Sequence, residues 1–183
     1  MKRLTREFYS RPALQVARDI LGKEIVRVWR GRQIRGRIVD VEVYSTIKDK
    51  GSHAFGGKIT PRNKIMYDHG GLVYIYLIYG MHWLFNITTG NHGHPEAILI
   101  RAVEPVEGFT GRQANGPGKF TKTFKLDKSF YGEDLATSKR LWLEEDEAKD
   151  KVKVAKGPRI GIDFAGPYWS KIPWRFWVEG KRR

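Results

Sequence analysis

The sequence predicts an α+β fold, a single mixed domain with a curved antiparallel β-sheet and short peripheral helices. Two observations carry that expectation. The apolar residues concentrate in short β-branched-rich segments bounded by Gly, Pro and Asn, and helical spacing is confined to brief stretches. No repeat, low-complexity linker or compositional break divides residues 1–183, a length that buries a substantial core in one domain.

Taken in order, Ser10 and Pro12 followed by Leu14, Val16, Ala17, Ile20, Leu21 and Gly22 supply the cap, early proline, apolar stripe and stop of a short amphipathic helix. Residues 24–29 and 34–45 read as strands of a hairpin turned by Arg30-Gly31-Arg32-Gln33. Further strands are expected at 72–79, 83–88, 97–103, 151–155, 159–163 and 173–178. The mixed polarity of 104–142 suits one or two short helices, and the acidic run 144–150 a solvated loop.

Charge narrows the partners. Lys and Arg number 34 against 20 Asp and Glu, a net charge of +14, which points to an anionic partner, nucleic acid ahead of an anionic membrane surface. A basic surface that is merely solvated is the bland alternative. The absence of cysteine removes disulfides, zinc–thiolate sites, Fe–S clusters and thiol nucleophiles. The N-terminal Met-Lys-Arg-Leu-Thr-Arg-Glu lacks the apolar core of a signal peptide, and no run of about 18 apolar residues is present to span a bilayer. A soluble monomer without membrane contact is expected, cytoplasmic and nucleoid-associated in a prokaryote, nuclear in a eukaryote.

Chemistry-bearing residues cluster in the strand segments. Alternation places Val39, Val41 and Val43 on one face and Asp40, Glu42 and Tyr44 on the other, which is either a solvated face or a site. His53 precedes a loop in which glycines, Thr60, Arg62 and Asn63 suit close approach to a phosphodiester backbone. Tyr74 and Tyr76 share a strand face, and Tyr79 precedes Gly80 and Met81 at a turn; these rings are either core filler or a platform for bases. Asn86, between Phe85 and Ile87, either pairs with backbone or reads a ligand edge. Arg101 interrupts a run of β-formers and calls for a carboxylate partner. His92, His94 and Glu96 have a spacing that could hold a metal, but their Gly- and Pro-rich surroundings read as a loop. Gly116-Pro117-Gly118-Lys119 is a loose match to a phosphate-cradling turn.

These residues together resemble one family, the alkyladenine (3-methyladenine) DNA glycosylases of the mammalian-enzyme type. The resemblance spans nearly the whole chain and is strongest at Arg-Gly-Arg-Ile-Val-Asp-Val-Glu-Val-Tyr (35–44), Thr-Pro-Arg-Asn (60–63), Val-Tyr-Ile-Tyr-Leu-Ile-Tyr-Gly-Met (73–81), Leu-Ile-Arg-Ala-Val-Glu-Pro (99–105), Gly-Pro-Gly-Lys (116–119) and Gly-Pro-Arg-Ile-Gly-Ile (157–162). It implies a metal- and cofactor-free, monofunctional enzyme that acts on double-stranded DNA containing damaged purines. By position it makes Glu42 the water-activating base and Arg101 its partner. Tyr44, His53 and Tyr76 become the walls around an extruded base, and Asn86 a pocket-floor residue that discourages guanine. Tyr79 becomes the plug that fills the vacated stack with Met81 beside it, and Thr60, Arg62 and Lys119 become DNA contacts. The segment Ser-Thr-Ile-Lys-Asp-Lys-Gly-Ser (45–52) departs from the acidic, proline-containing loop usual in that family. Two rivals remain from the residues alone: a glycosylase/lyase using a lysine Schiff base, and a non-catalytic nucleic-acid-binding module with a tyrosine stacking platform.

Overall fold

A computed structural model describes residues 2–108, 114–145 and 152–181. Eight strands, β1 (Glu24–Trp29), β2 (Arg32–Ser45), β3 (Val73–Ile78), β4 (His82–Thr88), β5 (Glu96–Glu107), β6 (Leu141–Glu144), β7 (Val154–Gly157) and β8 (Arg175–Val178), form one antiparallel sheet. Its main path runs β3-β4-β5-β2-β1-β6, with β8 on β2 and β7 on β8. Four short helices, α1 (Arg6–Tyr9), α2 (Ala13–Asp19), α3 (Pro117–Phe124) and α4 (Gly166–Lys171), complete the expected α+β domain, whose sheet curls into half a barrel.

β2 organises the sheet because it is long enough to change partners. Its first half pairs with β1, Glu24 lying opposite Arg37, and farther along Asp40, Val41 and Glu42 face Trp177, Phe176 and Arg175 of β8. Along its other edge it pairs with β5, with register shifts around Ile38, Asp40 and Val41. These shifts are β-bulges, which sharpen local twist and bend the strand. They also alter the alternation read from sequence. Ile38, Val41 and Val43 enter the main core, whereas Val39 is buried outside it. Gly36 sits where β2 and β5 approach most closely, since a Cβ there would lie 2.3 Å from Val103 Cγ1.

The β1–β2 turn is tighter than expected. Only Arg30 and Gly31 lie outside the strands, both with positive φ, as a two-residue primed turn requires, so β2 starts at Arg32. Ser10 does not cap α2; its hydroxyl bonds the Arg6 carbonyl and closes α1. Pro12 takes the N-cap position of α2, and the exposed Ala13 N–H is satisfied by the Glu96 carboxylate at 2.9 Å. The apolar face of α2, with Val16, Ala17 and Ile20, packs into the same core as Phe85, Ile98, Phe120 and Phe176.

Three expectations need correction. Residues 159–163 form no strand, because the Arg159 side chain and the Ile160 N–H bond buried carboxylates instead of a ladder, and Gly161 turns the chain at φ 75°. The segment expected at 151–155 is β7, Val154–Gly157, and residue 151 lies outside the described residues. Part of the supposed acidic loop is structured: Glu144 ends β6 and accepts hydrogen bonds from Arg35 and from Trp142 Nε1, while residues 146–150 lie outside the described residues. The short helices expected within 104–142 are α3 and a 3-10 turn at Lys128–Phe130.

Candidate active site

The face of β2 opposite the core is not solvated. Asp40 and Glu42 are buried there, Glu42 completely, and Tyr44 is half-buried. A buried carboxylate must be paired, and Glu42 has three partners. Its Oε1 accepts from the Ile160 N–H at 2.8 Å and forms an ion pair with Arg101 Nη1 at 3.1 Å, and its Oε2 accepts from the Tyr44 hydroxyl at 2.8 Å. Strand register brings Arg101 there: Glu42 lies opposite Leu99 of β5, and Arg101 is two residues along the same strand face. Burial pushes the Glu42 carboxyl above its ordinary value, and the three partners only partly pull it back.

Next to this carboxylate opens a cleft of about 690 Å³, bordered by Tyr44, His53, Arg62, Tyr76, Tyr79, Arg101 and Lys119. Below it lies a recess of about 20 Å³ whose lining includes Tyr44, His53, Tyr74, Tyr76 and Asn86. His53 and Tyr76 touch edge to face, ring centroids 4.7 Å apart, and Tyr76 packs on Tyr74 at 5.2 Å. His53 Nδ1 lies 2.6 Å from the Tyr74 hydroxyl. Enclosure by these rings, helped by the Arg62 charge, lowers the His53 imidazole to about 4, so the ring is neutral near pH 7. Asn86 lines the recess, and its Nδ2 donates to the carbonyls of Tyr74 and Leu84 at 3.1 and 3.4 Å.

The match that decides the family covers residues 7–182, which fit the model of the Methylpurine-DNA glycosylase (MPG) family. The chain belongs to that family. Relatives of this methylpurine-DNA glycosylase family member include proteins named "Putative 3-methyladenine DNA glycosylase" from Desulfitobacterium hafniense, 42% identical over 98% of this chain and 96% of the relative. One from Myxococcus xanthus is also 42% identical, over 98% of this chain and 91% of its own length. One from Methanocella arvoryzae is 40% identical over 95% and 91%.

The remaining expected residues of this family member lie around the cleft or behind it. Tyr79 and Met81 stand at the β3–β4 turn with 86% and 69% of their surface exposed, and Tyr79 holds a left-handed φ of 52° before Gly80. Arg62 lies over the Tyr76 ring at 4.7 Å, and Lys119 is exposed in the first turn of α3. Thr60 does not border the cleft. Its hydroxyl and backbone N–H both bond Asn63 Oδ1, while Asn63 Nδ2 reaches the carbonyls of His53 and Lys58, so Thr60 helps shape the loop carrying Arg62. Met81 and Glu42 also stand outside the cleft lining. His92 and His94 are exposed in the loop before β5, but Glu96 turns away to Ser45 and α2. No group of three or more metal-ligating side chains occurs among the described residues. No helix among them is long and apolar enough to cross a membrane.

Sequence reasoning missed four participants. Asp49 and Arg159 form a buried ion pair beneath Tyr44, and the Ile160 amide reaches Glu42. Phe164, 76% exposed, borders the cleft. The 157–162 motif contains two of them, Arg159 and Ile160, but reading it as a strand hid their side-chain and amide bonds.

Proposed function

We propose that residues 1–183 form a single DNA glycosylase domain that extrudes a damaged purine from double-stranded DNA and hydrolyses its N-glycosidic bond with water activated by Glu42. The observation that carries the reading is a buried carboxylate, ionised partner at hand, beside an aromatic-walled cleft in a strongly basic chain. The substrates are 3-methyladenine, hypoxanthine and related alkylated purines, and the protein acts as a monomer without metal or cofactor. It works where the DNA is, in the nucleoid or nucleus.

The geometry suggests how each residue serves. His53 and Tyr76 are already in contact, so no base enters between them; they make one wall of a slot whose other wall is Tyr44. A purine stacked there gains from ring contact, and a cationic alkylated purine gains further from the π faces. As the bond breaks, positive charge develops on the deoxyribose, and Glu42 stabilises it while accepting the water proton. The water oxygen bonds C1′, and the glycosidic electron pair leaves with the purine. Alkylated purine cations leave readily, whereas neutral hypoxanthine leaves after protonation. Oε2 of Glu42 is the oxygen assigned to the water proton, because it holds only the Tyr44 hydroxyl, whereas Oε1 holds the Ile160 N–H and faces the Arg101 cation. Tyr79 and Met81, at the exposed tip of a hairpin, fill the place of the extruded nucleotide, while Arg62 and Lys119 meet phosphates.

An inosine-containing duplex tests the reading. Base release revealed by hot alkali is expected, without a covalent adduct on borohydride treatment. Intact DNA would instead support a stacking module, and a trapped adduct a lysine lyase. Asn86 offers a finer test. Asn86→Ser should open the recess and add detectable guanine release, first from mismatches, where extrusion costs least. A parallel loss of guanine and hypoxanthine release, with a lower Tm, would assign Asn86 to backbone pairing alone.

A further inference from the structure

We propose that Arg159, paired with Asp49, is the positioning residue for Glu42, setting both neutral hydrogen-bond donors that hold its carboxylate. The inference rests on Glu42 being the water-activating group. The two hydrogen-bond donors to Glu42 both stand against Arg159. The first is the Tyr44 hydroxyl, whose ring lies 4.8 Å from the Arg159 guanidinium. The second is the N–H of Ile160, the next residue in the chain.

Both terminal nitrogens of the side chain are held, while its buried Nε has no hydrogen-bond partner among the described residues. Nη1 donates to Asp49 Oδ2 at 2.6 Å and to the Val43 carbonyl at 3.0 Å, between Glu42 and Tyr44 in sequence. Nη2 donates to Asp49 Oδ1 at 2.8 Å and to the Trp169 carbonyl at 3.3 Å, and Trp174 covers the guanidinium at 5.2 Å. Both charged side chains are fully buried. Asp49 is held in turn by the Gly51 N–H at 2.9 Å, and a Cβ on Gly51 would lie 3.2 Å from Arg159 Nη2. One planar fork thus ties β2, the 46–52 loop and α4 to the segment that delivers the Ile160 amide.

Stability alone does not call for this arrangement, because a buried ion pair is often matched or surpassed by apolar side chains of similar volume. An apolar pair would fill the space but would not bind two carbonyls or present a cation to the Tyr44 face. The groups around Glu42 make the effect separable. Arg101 approaches from β5, Tyr44 and Asp40 from β2, Arg175 from β8 and Tyr76 from β3. Arg175 is bonded to Asp40, and Arg101 reaches Glu42 directly, so changing Arg159 leaves both arginines in place.

The test is single-turnover release from an inosine duplex as a function of pH, alongside thermal denaturation. Arg159→Met combined with Asp49→Leu leaves no buried charge unpaired. In this variant the acid limb is expected to move to higher pH, because Glu42 loses donors that favour its ionised form, and the rate near neutrality to fall at least about tenfold. Arg159→Lys keeps the charge but not the fork, and is expected to retain stability better than rate. A purely structural role would lower Tm and leave the acid limb in place. That outcome, in whichever variant folds, overturns the proposal. Absence of release by the parent protein would overturn the functional reading with it, whereas an active parent and unshifted variants reject the positioning role alone.

Discussion

Glu42→Gln is expected to bind lesion-containing duplex like the parent and to release base at least about a hundredfold more slowly. The amide keeps the shape of the carboxyl, and its oxygen can still accept from the Ile160 N–H and face Arg101, so the architecture around it persists. What it cannot do is take a proton from water. The pH dependence of the parent gives an independent check. Burial raises the Glu42 carboxyl above its ordinary value of 4.5, and as the proposed base it would act in its ionised form. The rate therefore falls as pH drops through a value above 4.5, earlier than for a solvent-exposed carboxylate. Single-turnover rates with hypoxanthine substrate measure both effects. A Gln variant that releases base near the parent's rate would remove Glu42 as the base.

Arg175→Ala is expected to cost about 3–5 kcal/mol, because it leaves the Asp40 carboxylate buried without its cation. The pair is bidentate, Nε to Oδ1 at 3.0 Å and Nη2 to Oδ2 at 2.6 Å, and both side chains are almost wholly inaccessible. It also fastens β8 to β2 where Arg175, Phe176 and Trp177 pair with Glu42, Val41 and Asp40. For a domain of this size the loss corresponds to a fall in Tm on the order of 10 °C. Combining Arg175→Met with Asp40→Leu removes both charges and is expected to recover most of that loss. Thermal denaturation of the single and double variants decides the matter: equal Tm in parent and Arg175→Ala would show the pair to be dispensable.

The sequence made the two faces of β2 readable only in part. Val41 and Val43 point into the core as alternation requires, but Ile38 displaces Val39 because of bulges created by pairing with β5, some sixty residues away in the chain. Whether Asp40, Glu42 and Tyr44 faced solvent was open for a similar reason. Their cover comes from β8 and the Ile160 segment, whose positions no local pattern around residue 42 encodes. Arg101 was legible as a residue needing a carboxylate, because a cation amid β-formers is costly to leave unpaired. β6 escaped notice because four residues flanked by polar sequence give too little alternation, and its strand character comes from pairing with β1. Asp49 looked like one charge in a lysine-rich loop; only the long-range partner Arg159 explains why it is buried.

The full burial of Glu42 has a chemical consequence. Electrophiles that methylate purines also attack protein nucleophiles, so a repair protein of this family works amid reagents able to inactivate it. Its sequence offers them no thiol, and the carboxylate on which hydrolysis is proposed to depend is buried and held by two hydrogen bonds and an ion pair. His82, His92 and His94 stand in the open. Treatment with methyl methanesulfonate is therefore expected to mark those imidazoles well before Glu42, with base release persisting while surface adducts accumulate, and peptide mass spectrometry would reveal the opposite order. The same enclosure that raises the carboxyl's proton affinity would thus shield it from methylating agents.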